Sequence, residues 1–207
     1  MSAGLDDLLS EIERRAHGGA RLLVGVAGPP GAGKSTLADR LDTILGERGH
    51  RSAVLPMDGF HLDNSILDER GELARKGAPH TFDVRGLADL LRAVKAGGEV
   101  FVPVFDRARE LAIAAARCIS PEDRIVIAEG NYLLLDQGRW AGLADLFDLT
   151  VMVAPPIDEL ERRLTARWVG YGLTPAQIEA KVENNDLPNG RLVLQRSRSA
   201  DFTFDQF

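Results

Sequence analysis

Cysteine is almost absent from this 207-residue sequence: Cys118 stands alone, so no internal disulfide can form. A lone thiol fits a reducing compartment such as the cytoplasm, and Cys118 reads as a small packing residue. Long hydrophobic runs are missing too. Stretches such as "LLVGVA" fall far short of the ~20 residues that cross a bilayer, so no membrane partner is expected. The opening "MSAGLDDLLSEIERRAHGG" has acids where an export signal would have an apolar run. Basic excess is lacking as well. Twenty-five Lys and Arg against 31 Asp and Glu leave a net charge of −6, which disfavours a nucleic-acid surface and leaves room only for local cationic pockets. No repeat or low-complexity linker interrupts the chain, and 44% hydrophobic residues over this length suit one core, hence a single domain over 1–207.

What is present begins with Leu5, Leu8, Leu9, Ile12 and Ala16 at helical spacing, a helix within residues 1–19 that Gly18-Gly19 ends. "RLLVGVAG" then reads as a buried parallel strand, apolar on both faces. Leu37, Leu41, Ile44 and Leu45 mark the next helix, ended by Gly49, and "SAVLP" is a second strand with Asp58 just past its end. Leu87, Leu90, Leu91 and Val94 mark another helix, followed by the strands "VFVPVF", "RIVIAEG" and "DLTVMVAP". Helices alternating with buried strands predict a three-layer α/β/α fold, a mostly parallel sheet with its site at the strands' C-terminal ends. Residues 63–81 have weak periodicity and read as a long functional or mobile loop. From 157 to 185 a cationic helix and a second helix, opened by the capping box Thr174-Pro175-x-Gln177, suggest a helical lid.

Between the first strand and its helix, Gly28-x-x-x-x-Gly33-Lys34-Ser35 completes a Walker A pattern in the context that gives it meaning. Backbone amides and side chains of Gly28, Gly31, Ala32, Gly33, Lys34, Ser35 and Thr36 are candidates to cradle phosphates, with Lys34 on the β- and γ-phosphates and Ser35 on Mg²⁺. Acids end two neighbouring strands, Asp58 in "LPMDGF" and Glu129 in "IVIAEG". One carboxylate can take an acceptor proton while the other supports the metal. Arg163 and Arg167, four apart on the cationic helix, share a face and suit a developing phosphoryl charge, or else pair with Glu159 and Glu161. Arg162 points elsewhere.

Taken together, "GPPGAGKST", "MDGFHLDNSILDERGELARKGAPHTFDVRGL", "VPVFDRARE" and "IAEGNYLLL" resemble the successive motifs of the phosphoribulokinase, uridine kinase and pantothenate kinase family of P-loop kinases. The middle block is most similar to bacterial pantothenate kinases, at Asp58-Gly59-Phe60, Asn64, Arg70-Gly71, Lys76-Gly77-Ala78-Pro79 and Asp83; "NNDLPNGRLVLQRSRSAD" resembles their C-terminal segment. The resemblance implies a P-loop NTPase fold and Mg²⁺- and ATP-dependent phosphorylation of a hydroxyl on a small molecule. Asp58 matches the catalytic base and Glu129 the second acid. Where pantothenate kinases place an aromatic, a serine and a substrate-binding histidine, this chain has Phe105-Asp106-Arg107. The Phe105-Asp106 pair is similar to the Tyr-Asp of uridine kinases, whose aspartate contacts sugar hydroxyls.

The expected acceptor is therefore a sugar or polyol, with a fructokinase-like activity in scope, and pantothenate or a nucleoside is the alternative. A nucleotide-gated regulatory ATPase is the alternative of another class, although neither Asn-Lys-x-Asp nor Leu-Ser-Gly-Gly-Gln occurs. Acceptor-binding candidates are His61, His80, Phe105, Asp106, Arg107 and Tyr132. Each has a plainer reading as well: the histidines as solvated loop residues, and Asp106 as a partner of Arg109. Trp168 and Tyr171 stack on a ligand or pack the lid. The oligomeric state stays open, a homodimer among the options.

Overall fold

The computed structural model describes residues 4–207. A five-stranded parallel sheet forms its centre, in the order β2 (Ser52–Pro56), β5 (Ile125–Gly130), β1 (Leu22–Ala27), β6 (Leu149–Val153), β7 (Phe202–Phe204). Along β1, Leu22, Val24 and Val26 enter one core while Leu23 and Ala27 enter the other. β5 alternates likewise, with Ile125 and Ile127 on the first face and Val126 and Ala128 on the second. That alternation of apolar residues to both faces is what lets helices cover the sheet on each side. On the first face lie α1 (Leu5–Ala16), α2 (Lys34–Glu47) and α5 (Ile157–Gly170), contributing Leu8, Leu41 and Leu160. On the second lies α4 (Val84–Ala96), which begins where the Asp83 carboxylate accepts from Gly86 N at 2.9 Å and buries Leu87, Leu91 and Val94.

Chain order reverses at β1. The strand after it, β2, lies beyond β5 on one side, whereas β6 lies on the other. The crevice at the carboxyl ends of such strands is where an open α/β sheet binds ligands.

Three expectations change. "VFVPVF" is a strand, β3 (Val100–Asp106), but it leaves the parallel sheet and pairs antiparallel with β4 (Leu111–Ile119), a strand the periodicity did not mark. Pro103 gives the reason: it cannot donate to a ladder, and the register shifts between Val102 and Val104. Cys118 lies on this hairpin and is exposed, not packed, since β4 presents nearly its whole length to solvent. The 63–81 segment is ordered into α3 (Asn64–Glu69), capped by Asp63 through Ser65 N at 2.9 Å, and two short 3₁₀ turns. β7, only three residues long, is too short for any periodic signal.

The segment expected to form a lid folds as α5, then α6 (Pro175–Lys181), a π-helical turn over Val182–Asp186 and α7 (Leu187–Arg196). Thr174 and Gln177 form the predicted capping box. No helix among the described residues is long and apolar enough to cross a membrane.

Candidate active site

The loop from Gly28 to Gly33 joins β1 to α2 over the carboxyl edge of the sheet. Two of its glycines are required by geometry. A Cβ on Gly28 would lie 2.3 Å from the Val153 carbonyl oxygen, and Gly33 adopts φ +101 as the N-cap of α2. No side chain caps that helix, and its first turn holds no acid. Its first amides are therefore left to an external anion, with Ser35 and Thr36 exposed beside them and Ala32 buried behind. Gly31, at φ +79, lies against Leu164 of α5.

Lys34 is buried, its ammonium donating to the Pro29 carbonyl at 3.0 Å. Burial lowers its pKa to about 8, and the charges of Glu129 and Asp58 pull the other way. Glu129, also buried, is pushed up by desolvation and by Asp58, against the Lys34 charge and the nearby Ser35 hydroxyl. Three adjacent strands thus bring one cation and two carboxylates together: β1 leads into Lys34, β5 carries Glu129, and β2 runs into the turn that holds Asp58. Asp58 pairs with Arg107 of the β3–β4 hairpin.

The depressed Lys34 value has a measurable consequence. At pH 8.5 the free amine is mostly neutral, and phosphates on the loop would restore its charge, so ATP binding should take up protons. Below pH 7 the ammonium is already formed and that uptake should vanish. Calorimetry in buffers of different ionisation heat measures it, and Lys34→Ala should remove it.

On α5, Arg163 is not free. It pairs with Glu159 at 2.6 Å and donates to the carbonyls of Ala32 at 3.0 Å and Phe207 at 3.1 Å, so it ties α5 to the phosphate loop. Arg167 lies near enough for its charge to act on Lys34 and on Asp186. Arg162 pairs with the same Glu159 carboxylate at 2.7 Å and is the more exposed of the two arginines. Trp168 donates to Asp186 at 2.7 Å and packs α5 against the π-helical turn, while Tyr171 is exposed.

The acceptor candidates separate into distinct places. His61 is sandwiched between Phe82, centroids 4.1 Å apart, and Phe105, 4.7 Å apart. Its Nδ1 lies 2.8 Å from the Asp58 carbonyl, and burial lowers its pKa, which favours a neutral ring beside the carboxylate. Asp106 is committed to the hairpin turn: Oδ1 accepts from Ala108 N and Arg109 N, and Oδ2 is 3.5 Å from Arg109. Tyr132 is fully buried, its hydroxyl donating to the Gly77 carbonyl at 2.6 Å beneath the 63–81 segment. His80 is exposed, 3.8 Å from Glu72, and lines a separate cavity.

Two residues of this region were not singled out as candidates from the sequence. Phe82 supplies one wall of the His61 sandwich. Lys76 donates to Asn64 Oδ1 at 2.6 Å and to the Glu110 carbonyl at 2.8 Å, and sits 4.8 Å over the Phe105 ring. It latches the 63–81 segment to the hairpin. Asn185 in turn donates to the Lys76 carbonyl at 2.9 Å, so the C-terminal helices hold the same segment. The Lys76-Gly77 and Phe82-Asp83 dipeptides lie within the quoted motif block, which was the available signal.

This arrangement agrees with the comparisons. Residues 23–185 match the sequence profile of the Phosphoribulokinase / Uridine kinase family. The chain belongs to that family. It is a P-loop kinase, with the mostly parallel sheet and helical layers of its structural neighbours. A crystal structure from Silicibacter sp. TM1040, of a protein named for a suggested role as a fructose transport system kinase, is 42% identical with a TM-score of 0.93, covering 98% of this chain and 100% of that one. The Escherichia coli (strain K12) protein YggC, described as uncharacterized, is 38% identical over 87% of this chain and 76% of its own. A pantothenate kinase of Mycolicibacterium gilvum (strain PYR-GCK) is 32% identical over 79% of this chain, which spans 53% of that enzyme's length.

The family implies use of ATP and Mg²⁺. The residues present fit both. Uncapped first-turn amides suit a phosphate chain. The Ser35 hydroxyl beside the Glu129 carboxylate is a hard-oxygen pair suited to a cation that keeps waters and phosphate oxygens as its other ligands.

Proposed function

We propose that this kinase transfers the γ-phosphoryl group of ATP to a hydroxyl of a sugar or polyol. The observation that carries the reading is the convergence of Lys34, Glu129 and Asp58 at three adjacent strand ends, with His61, Phe82 and Phe105 packed together next to Asp58. Lys34 and the loop amides orient the phosphates, and Ser35 with Glu129 would hold Mg²⁺, which neutralises phosphate charge when bound. Asp58 accepts the acceptor's proton as the hydroxyl oxygen attacks. Arg167 supports the charge on the transferred group, while Arg163 fixes the lid to the loop. His61 and Phe105 shape the acceptor wall. Asp106 acts through the turn that presents Phe105 and Arg107, and Tyr132 through the loop it supports.

The fructose role suggested for the Silicibacter relative, alike along nearly its whole length, supports a sugar acceptor. Pantothenate is the second reading. The likeness to pantothenate kinases favours it, but Arg107, paired with Asp58, stands where those enzymes keep a substrate-binding histidine. ADP release measured over fructose and other sugars, nucleosides, pantothenate and glycerate tests the proposal. Stimulation by a sugar or polyol above all others supports it; faster turnover of pantothenate overturns the sugar reading. ADP release indifferent to every acceptor would favour a nucleotide-gated regulator.

Two variants probe the division of labour. Arg167→Ala should lower kcat by about tenfold or more with ATP affinity changed far less, because the contact forms with the developing charge. Lys76→Met should raise the acceptor KM severalfold and leave the KM for ATP unchanged, since it frees the loop from the hairpin without touching the phosphate loop. Steady-state kinetics in both substrates check each.

A further inference from the structure

A cavity of about 660 Å³ opens between the 62–84 segment and the 135–140 loop, and none of Lys34, Asp58, Glu129 or Arg107 lines it. Its floor carries the aromatic edges of Phe82 and Trp140, 5.8 Å apart between centroids, and its rim carries Arg70, Arg139 and His80. Trp140 is fixed there by donating its indole N–H to the Pro79 carbonyl at 3.1 Å. Asp83 also reaches the rim, but its Oδ1 is engaged by Gly86 N in capping α4. Among the described residues, neither the Arg70 nor the Arg139 guanidinium has a hydrogen-bond or ion-pair partner, in a chain whose other arginines are largely paired with carboxylates or carbonyls.

We infer that this cavity is a second ligand site, separate from the nucleotide cleft, for an organic anion: a carboxylate or phosphate carried on a flat apolar body. The two guanidiniums suit planar recognition of such an oxyanion, and the aromatic floor suits the body behind it. The volume lies within the range of small-molecule pockets. Phe82 gives the site its bearing on catalysis, because the same ring that lines the cavity packs, tilted, against His61 in the acceptor wall, centroids 4.1 Å apart. An occupant therefore presses on the acceptor side of the kinase and not on its phosphate loop.

The test uses the intrinsic fluorescence of Trp140 in full-length Trp168→Phe protein, titrated with phenyl phosphate. A saturable change is expected, unaltered by saturating ATP or by Lys34→Ala. It should weaken at least tenfold in the Arg70→Gln/Arg139→Gln double variant, whose two exposed side chains contribute nothing to the core. Benzyl alcohol, which lacks the anion, and inorganic phosphate, which lacks the body, should each bind at least tenfold more weakly. Displacement by ATP or loss in Lys34→Ala would place the probe in the nucleotide cleft and overturn the inference. An unchanged double variant, or no saturable change at all, would overturn it equally. None of these readouts depends on the acceptor's identity or on turnover, so the inference fails separately from the kinase assignment.

Discussion

Replacing Lys34 with alanine is expected to cut phosphoryl transfer by about 10³-fold or more, to the floor of a sensitive assay. The ammonium is buried beside two carboxylates, and the other cations near it, Arg167 and Arg107, lie on α5 and in the β3–β4 hairpin and not on the loop that would hold the β- and γ-phosphates. Its removal also leaves the buried Glu129 without its largest opposing charge, which pushes that carboxyl further up and weakens its support for a metal. Lys34→Met, which keeps most of the volume, should be as inactive as Lys34→Ala. Single-turnover kinetics with either variant at saturating ATP measures the effect. Activity within tenfold of the parent would show that the loop amides alone carry the charge.

Asp58→Asn should lower turnover by about 10²-fold or more while ATP still binds. The amide keeps the shape of the side chain and cannot take the acceptor's proton. The same change removes the ion pair with Arg107, but that pair is largely open to water, with Arg107 56% and Asp58 25% exposed. Exposed pairs contribute about 0–1 kcal/mol, so the thermal midpoint should move little. A large loss of activity at unchanged stability assigns the effect to chemistry. Turnover near that of the parent at saturating acceptor would remove Asp58 from the mechanism.

Much of this was legible in the sequence because the informative residues are local. A glycine loop between an apolar strand and an amphipathic helix fixes the phosphate site within nine residues, Gly28 to Thr36, and an acid at a strand end is visible wherever the strand is. The capping box at Thr174 was equally local. What escaped reading depends on pairing across the chain. Whether Val100–Asp106 joins the sheet or leaves it is decided by its partner, Leu111–Ile119, and Pro103 suits a position outside the central sheet. Exposure of Cys118 follows from that same departure. Tyr132 and Asp106 stand in motif positions, yet their polar atoms are engaged by Gly77 and by the hairpin turn, contacts that spacing does not reveal. The engagement of Arg163 with Ala32, 131 positions away in sequence, belongs to the same class.

The central claim, transfer of phosphate from ATP to a carbon-bound hydroxyl, is tested most directly by ³¹P NMR of the complete reaction with the acceptor that most stimulates ADP release. A new phosphate-ester resonance is expected that grows one for one with ADP, is absent without acceptor, and disappears with Lys34→Ala. ADP accompanied by free inorganic phosphate at the same rate with and without acceptor would contradict the claim.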